Sequence, residues 1–279
     1  MADTRRNAAL IENRSGELQR VHDAAFAWKT AEAAALIYAG NRGFWPMSVF
    51  DADQDAVDHS GRGHDLSNAG EGNLSYGRGA TTSMAPWVYF SGANWLRHTD
   101  DADFDIQGDE AYVNAANRGL TLFCWVRLDS VAGTQFIIGK WDAGDCAYGL
   151  ILTGGVFRAY ISNTGAGLTH QAISTVTPAV DLWYFIAMTF RPSTALNVFV
   201  GGATEMGTWN SLAAAVPATI ANCGADFTIG AEHGGVNPMT GFVSCALVGI
   251  EQWSGLAGAI YRDILVEAYY HHTRAMYGR

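Results

Sequence analysis

From Phe44 to about residue 255 the chain repeats one pattern, in which short apolar runs are separated by Gly, Asp, Asn and Ser. The clearest run, Leu120 to Leu128, alternates strictly. Leu120, Leu122, Cys124, Val126 and Leu128 fall on one side, and Thr121, Phe123, Trp125 and Arg127 on the other. A period of two is that of a strand, whose successive side chains point to opposite faces. Further strands are predicted over 87–90, 135–140, 147–152, 155–161, 170–176, 182–190, 195–200, 226–230 and 241–251. Gly154-Gly155, and Gly201-Gly202 after Asn197-Val-Phe-Val200, read as tight hairpin turns, because paired glycines supply the positive φ that two-residue loops require. The second face of several strands is apolar too, as at Phe123 and Trp125, or Tyr184, Ile186, Met188 and Phe190. A lone sheet would leave one face polar. The pattern therefore predicts an all-β sandwich of two packed antiparallel sheets with partly covered outer faces.

Helical spacing flanks this region. Residues 4–40 lack Pro, and Leu18, Val21, Ala25, Trp28, Ala35 and Ala39 recur at heptad-like intervals interrupted by Glu32. We read residues 1–42 as a helical arm ending at Gly40-Asn41, with the sandwich and a C-terminal helix occupying 43–279. An isolated helix of this kind is marginal, so its stripe needs a partner. Packing on its own domain and docking or oligomerisation both satisfy that need. At the other end, Ile260, Ile264, Leu265 and Ala268 form an apolar stripe, followed by Tyr269-Tyr-His-His272.

Charge sharpens the picture. The formal net charge is −10, from 27 acids and 17 bases. Residues 51–110 alone hold 12 acids and 3 bases. The acidic balance argues against a nucleic-acid face, which needs a basic stripe. No stretch reaches the ~18 apolar residues of a membrane span. The polar start, Met1–Asn7, is not followed by an apolar core, so no signal peptide is expected. The four cysteines, Cys124, Cys146, Cys223 and Cys245, form no C-x-x-C pair, and Cys124 and Cys245 sit in apolar runs as small core residues.

The order of motifs carries a resemblance. Gly43-Phe-Trp-Pro-Met47, Asp58-His-Ser-Gly-Arg-Gly-His-Asp-Leu66, Gly119-Leu-Thr-Leu-Phe-Cys-Trp-Val126, Ile137-Ile-Gly-Lys-Trp141, Asp181-Leu-Trp-Tyr-Phe-Ile186, Asn197-Val-Phe-Val-Gly201 and Phe227-Thr-Ile-Gly230 follow one another, and a helix follows the last strand. Over roughly residues 43–277 the chain resembles laminin-G-like domains of the concanavalin A-like lectin/glucanase superfamily, in the form found in virion proteins of tailed phages. The resemblance implies a jelly-roll. It also implies a structural virion subunit, a capsid decoration or a neck or tail appendage. Such a subunit would be made in the host cytoplasm and would assemble as a homo-oligomer, a trimer being one such state, against capsid or tail proteins. The alternative is a carbohydrate-binding adhesion module that recognises host-surface glycans. Fold alone does not choose between them.

The residues that could carry chemistry bear on both readings. The hydrolytic branch of the superfamily carries Glu-x-Asp-x-x-Glu along one strand, placing its carboxylates on one face. That motif is absent, as is a G-x-S-x-G elbow, so no enzyme is expected. Sugar recognition stacks a ring on an aromatic and fixes its hydroxyls with polar groups. Trp141, which opens Trp-Asp-Ala-Gly-Asp145, its neighbour Asp145, and Trp209 in the polar Gly207-Thr-Trp-Asn-Ser211 segment are the candidates, each of which can instead serve to cover the sandwich edge or an oligomer contact. Asp51, Asp53, Asp55 and Asp58 alternate hard oxygen ligands and are the candidates for calcium; Asp100, Asp101, Asp103 and Asp105 form a second such loop. The EF-hand pattern fails at Ala56 and Arg62. Calcium at a sandwich edge is also what the laminin-G resemblance implies, and solvated loop charge is the competing explanation.

Overall fold

The computed structural model describes residues 41–48, 55–78, 85–107, 119–204, 206–212, 214–250, 266–267, 269–271 and 273–277. The arm expected over residues 4–40, the candidates Asp51 and Asp53, and the stripe from Ile260 to Ala268 lie outside them. Fifteen strands follow in chain order among the described residues. They are β1 (Asn41–Trp45), β2 (Ser67–Gly70), β3 (Ser75–Arg78), β4 (Pro86–Ser91), β5 (Asn94–His98), β6 (Leu120–Leu128), β7 (Gln135–Asp142) and β8 (Asp145–Thr153). They continue as β9 (Val156–Ile161), β10 (His170–Ile173), β11 (Trp183–Arg191), β12 (Ala195–Gly202), β13 (Thr208–Ser211), β14 (Phe227–Ile229) and β15 (Thr240–Ile250). No helix among the described residues is long and apolar enough to cross a membrane.

The strands form two antiparallel sheets. One has eight strands, ordered β13-β12-β11-β6-β15-β4-β3, with β1 also paired to β15; the other has seven, ordered β10-β9-β8-β7-β14-β5-β2. The expected sandwich is therefore present, and its first strand starts at Asn41, two residues before the expected boundary. Each side chain of β6 takes the face that alternation assigned. Leu120, Leu122, Cys124, Val126 and Leu128 enter the layer between the sheets, while Phe123 and Trp125 join a second apolar cluster on the outside. All four cysteines are buried and none is in a disulfide.

Register slips shift the alternation, among them one between Asn41 and Gly43 in β1 and one between Lys140 and Trp141 in β7. In β15 the register slips between Ser244 and Leu247, with Cys245 at φ 53°. Val243 and Ala246 both face the inner core, and Cys245 and Leu247 face outward. A bulge of this kind inserts one residue and moves everything beyond it to the other face. It also lets β15 pair with β4 along its first half and with β1 along its second. In β7 a slip between Phe136 and Ile138 turns both Ile137 and Ile138 inward.

The glycine pairs divide. Gly154 and Gly155 have φ of 61° and 75° and join β8 to β9 as expected. The reading of Gly201-Gly202 as a hairpin turn is corrected. Both lie inside β12, paired with Phe185 and Tyr184. A Cβ on Gly201 would stand 2.6 Å from the ring of Tyr270, so that glycine makes room for an aromatic rather than for a turn.

That aromatic belongs to the C-terminal segment. Its described residues from Val266 to Thr273 are helical and run into a 3₁₀ turn at Arg274–Met276. Val266, Tyr269, Tyr270, Met276 and Tyr277 lie on Phe123, Trp125, Trp183, Phe185 and Phe199. Trp125 stacks on Tyr277 at 4.1 Å between ring centroids. The outer face of the eight-stranded sheet is thus an apolar surface closed by the chain's own C-terminus.

Candidate functional site

The seven-stranded sheet is built differently. One row of outward residues crosses all seven strands, from Ser67 on β2 through Arg97, Thr228, Gly139, Gly149 and Tyr160 to Gln171 on β10. The adjacent row runs Phe136, Ile151, Arg158, Ile173. Gly139 and Gly149 stand opposite each other, and the Phe136 ring lies over them: a Cβ on Gly149 would be 2.5 Å from Phe136 Cε2. Phe136, Trp141, Cys146 and Ile151 form a small apolar cluster of their own with Tyr160 at its margin. Trp141 and Tyr160 meet at 5.7 Å between centroids. Most of the Trp141 ring is packed, with 8% of the residue exposed, so Tyr160 and Ile173 supply more of the accessible apolar surface.

A loop borders this face. After β14 the chain turns through a 3₁₀ segment, His233–Gly235, where Gly235 lies against the Trp95 ring, and Asn237 accepts the Phe136 N–H at 2.8 Å. Asn237 Nδ2 donates to Glu232 Oε1 at 2.7 Å. Burial pushes the Glu232 carboxyl up from the ordinary range; the Asn237 hydrogen bond opposes this, and the charge of Asp142 adds to it. The same carboxylate acts on Tyr160 and Cys146, which places it at the Trp141 end of the face. At the opposite margin Arg158 Nη1 donates to Gln171 Oε1 at 3.0 Å. Burial pushes the Tyr160 phenol up, and the neighbouring Arg158 pulls it back through charge and a hydrogen bond. The arrangement offers apolar ring surface beside a carboxylate, two amides, a phenol and a guanidinium, all on strands or a tightly bonded loop.

The sequence-derived candidates separate. Trp141 and Asp145 flank the β7–β8 turn at the edge of this face, and Asp145 Oδ2 accepts the Gly224 N–H at 2.8 Å. Trp209 lies on the other sheet. Its Nε1 donates to Glu267 at 2.7 Å and its ring packs on Phe199, so it clamps the C-terminal segment. Glu232, Asn237, Tyr160 and Arg158 were missed. Tyr160 and Arg158 were legible as outward positions of an alternating strand, whereas nothing local marks Glu232 or Asn237, which lie more than seventy residues from Tyr160 in sequence.

The acidic loops gather at another edge. Both oxygens of Asp58 are occupied: Oδ1 accepts from Phe44 N and Ser60 N, and Oδ2 from Ser60 Oγ and His64 N, at 2.6–3.0 Å. Asp55 accepts from Asn68 N at 3.3 Å. The fully buried Lys140 ammonium holds Asp100 and Asp105, while Arg42 and Arg62 hold Asp103. One trio, His64 with Asp101 and Asp103, brings ligand atoms within 4.8 Å of one another. However, Asp101 caps the 3₁₀ turn Ala102–Phe104, and two guanidinium groups neutralise Asp103. The described acids are thus committed to backbone N–H groups and to the chain's own cations, and do not fit the six-to-eight-oxygen cage of calcium.

Sequence comparison agrees with this architecture. The profile described as the concanavalin A-like lectin/glucanases superfamily, of laminin-G type, matches residues 98–248, more than half of the chain. The chain belongs to this superfamily. Solved structures place the superfamily fold beside toxin domains. The receptor-binding domain of botulinum neurotoxin mosaic serotype C/D aligns with a TM-score of 0.51 and 10% identity, over 82% of this chain and 51% of that one. A botulinum neurotoxin type C structure, described by cell entry dependent on interaction with two ganglioside molecules, aligns at 0.52 and 9%, over 83% and 52%. The binding domain of Paraclostridial Mosquitocidal Protein 1 aligns at 0.53 and 10%, over 83% and 52%. The chain spans about half the length of these structures, and at such identities the likeness is one of fold. Among curated proteins, none matches the sequence.

Proposed function

We propose that this protein is a glycan-recognition module that binds sugar on the outer face of the seven-stranded sheet, over β7 to β10. The observation that carries the reading is the contrast between the two outer faces. The C-terminal segment seals one. The other presents Tyr160 and Ile173 beside Trp141, Gln171, Arg158, Glu232 and Asn237. Apolar ring surface with a few fixed polar groups is what a sugar requires, since its C–H face stacks and its hydroxyls need oriented partners. Two of the similar structures are the receptor-binding domain of a botulinum neurotoxin and the binding domain of Paraclostridial Mosquitocidal Protein 1, which accords with the reading.

Binding without cleavage is part of the proposal. Glu232 and Asp142 border the face, so the assay must also look for released sugar. A glycan array probed with the whole chain should give a defined set of hits that Tyr160→Ala weakens at least tenfold. An array without hits overturns the reading, and release of sugar from a bound glycan overturns its non-enzymatic part. Carriage on a tailed-phage particle, as a homo-oligomer against capsid or tail proteins, is a separate proposal resting on the sequence resemblance. Imaging of native particles tests it.

A further inference from the structure

We infer that this face selects glycans bearing an anionic group, a carboxylate or a sulfate ester, and that Arg158 binds that charge. The inference rests on the glycan-recognition reading and narrows its ligand class. A guanidinium stays charged at any physiological pH and presents its donors in a rigid fork that matches a carboxylate or sulfate. Arg42 and Arg62 are met by Asp103, Arg97 by Asp226 and Arg127 by Asp181. Arg158 shares with Arg191 on β11 and Arg274 in the C-terminal segment the lack of a carboxylate partner among the described residues, and of these three Arg158 is the one on the outer face of the seven-stranded sheet. Arg158 has no carboxylate within 4 Å among the described residues, although the chain carries ten more acids than bases. Its cross-strand neighbours are Ile151 and Ile173, and its hydrogen bonds go to the neutral Gln171 and Tyr160. A half-buried guanidinium with only neutral partners keeps its charge unneutralised, and a bound anion would meet it.

The surroundings favour the same end of the face. Gly154 leaves room for the guanidinium, since a Cβ there would stand 3.1 Å from Arg158 Nη2. The acids of the face, Glu232 and Asp142, gather instead at the Trp141 end, and burial favours the neutral form of Glu232. An acidic sugar thus has one orientation, with its charge over β9–β10 and its hydroxyls toward Glu232 and Asn237.

The test uses matched neutral, carboxylated and sulfated glycans with the whole chain, alongside Arg158→Gln and Arg158→Lys. Anionic glycans should bind at least tenfold more tightly than their neutral counterparts. Arg158→Gln should abolish that preference, Arg158→Lys should keep part of it, and added salt should weaken binding. The carboxylated and sulfated arms show which anion is taken. Competition by free glucuronate and glucose 6-sulfate, but not glucose, supplies the same answer on the wild-type protein if a variant does not fold. Binding of neutral glycans alone, or an anionic preference that survives Arg158→Gln, overturns the inference and leaves the glycan reading standing. Absence of binding to any glycan overturns both.

Discussion

Trp125 Nε1 donates to Thr273 Oγ1 at 2.9 Å inside the apolar layer that seals the eight-stranded sheet, across 148 positions of sequence. Thr273 Oγ1 in turn donates to the Tyr269 carbonyl at 2.8 Å. The C-terminal segment is therefore fastened by a directional bond as well as by ring stacking. Thr273→Val keeps the shape and leaves the indole N–H buried without an acceptor. That costs about 1–3 kcal/mol. Chemical denaturation should show this loss with an unchanged m-value. A variant as stable as the parent would mean that water reaches Trp125.

Asp58 is the hub of the loop that joins β1 to β2. Burial pushes its carboxyl up, but the bonds from Phe44, Ser60 and His64 outweigh this and hold it below the usual carboxylate range. A depressed carboxylate stabilises the fold fully above its unfolded value, about 3.9, and loses that contribution as pH falls through the lower folded value. Asp58→Asn should therefore be about 1–2 kcal/mol less stable than the parent at pH 7. The gap should narrow as the pH falls below about 4. A gap of constant size down to pH 2 would assign the loss to shape rather than charge.

Lys140 is the sandwich's own cation at the acidic edge. Burial pulls its ammonium down, yet the hydrogen bonds to Asp100 and Asp105 outweigh burial and leave it above the ordinary lysine range. Lys140→Met removes the charge and leaves Asp105 facing an apolar wall, at a cost of about 2 kcal/mol. That sits below the full price of breaking a buried pair, because Asp100 still reaches water. For a raised ammonium the contribution is complete below the unfolded value, about 10.4, and fades as pH climbs through the folded one. The difference between variant and parent should thus be flat from pH 6 to 9 and shrink only in strong alkali. Thermal unfolding across that range checks it.

Glu232 behaves in the opposite sense. Its folded carboxyl is raised, chiefly by burial, so ionisation opposes folding. Below the unfolded value of about 4.3 both states are protonated and there is no penalty. The penalty grows as pH rises through that value and levels off above the folded one. Glu232→Gln keeps the acceptor for Asn237 and removes the charge. It should raise stability at pH 7 by about 1 kcal/mol or less and have no effect near pH 3. If Glu232 also receives sugar hydroxyls, the same variant should lose affinity while gaining stability, a pairing common at binding sites.

What the sequence made legible follows from range. Alternation placed β6 and β8 to β12 because each pattern is written within one strand. The strands Asn41–Trp45, Ser67–Gly70, Ser75–Arg78, Asn94–His98 and Thr208–Ser211 were not predicted. Segments such as Ser67-Asn-Ala-Gly70 have no strand propensity of their own and are held by the neighbours they pair with. Arg158 could be placed on an outer face by period, but its lack of a counter-ion depends on what two other strands bring beside it. Gly201 looked like a turn because its real partner, Tyr270, is supplied from the far end of the chain.

The floor of the proposed binding face offers a last test. Gly149 faces Gly139 across β7 and β8, and the Phe136 ring fills the space that two side chains would otherwise take. Gly149→Ala puts a methyl group 2.5 Å from Phe136 Cε2, too close for any real contact, while the backbone there is not in a left-handed conformation. The ring must move, and overpacking of this kind costs about 1–3 kcal/mol. Phe136→Ala alone should cost about 3–4 kcal/mol through lost burial. If the clash is the cause, the double variant is less damaged than the sum of the two, by about 1 kcal/mol or more. A displaced ring would also disturb Tyr160, which lies beside Gly149 in the same row, so Gly149→Ala should weaken glycan binding and Phe136→Ala should partly restore it. Strict additivity in the unfolding measurements would mean that the glycine pair serves the backbone of β7 and β8 and not the ring above it.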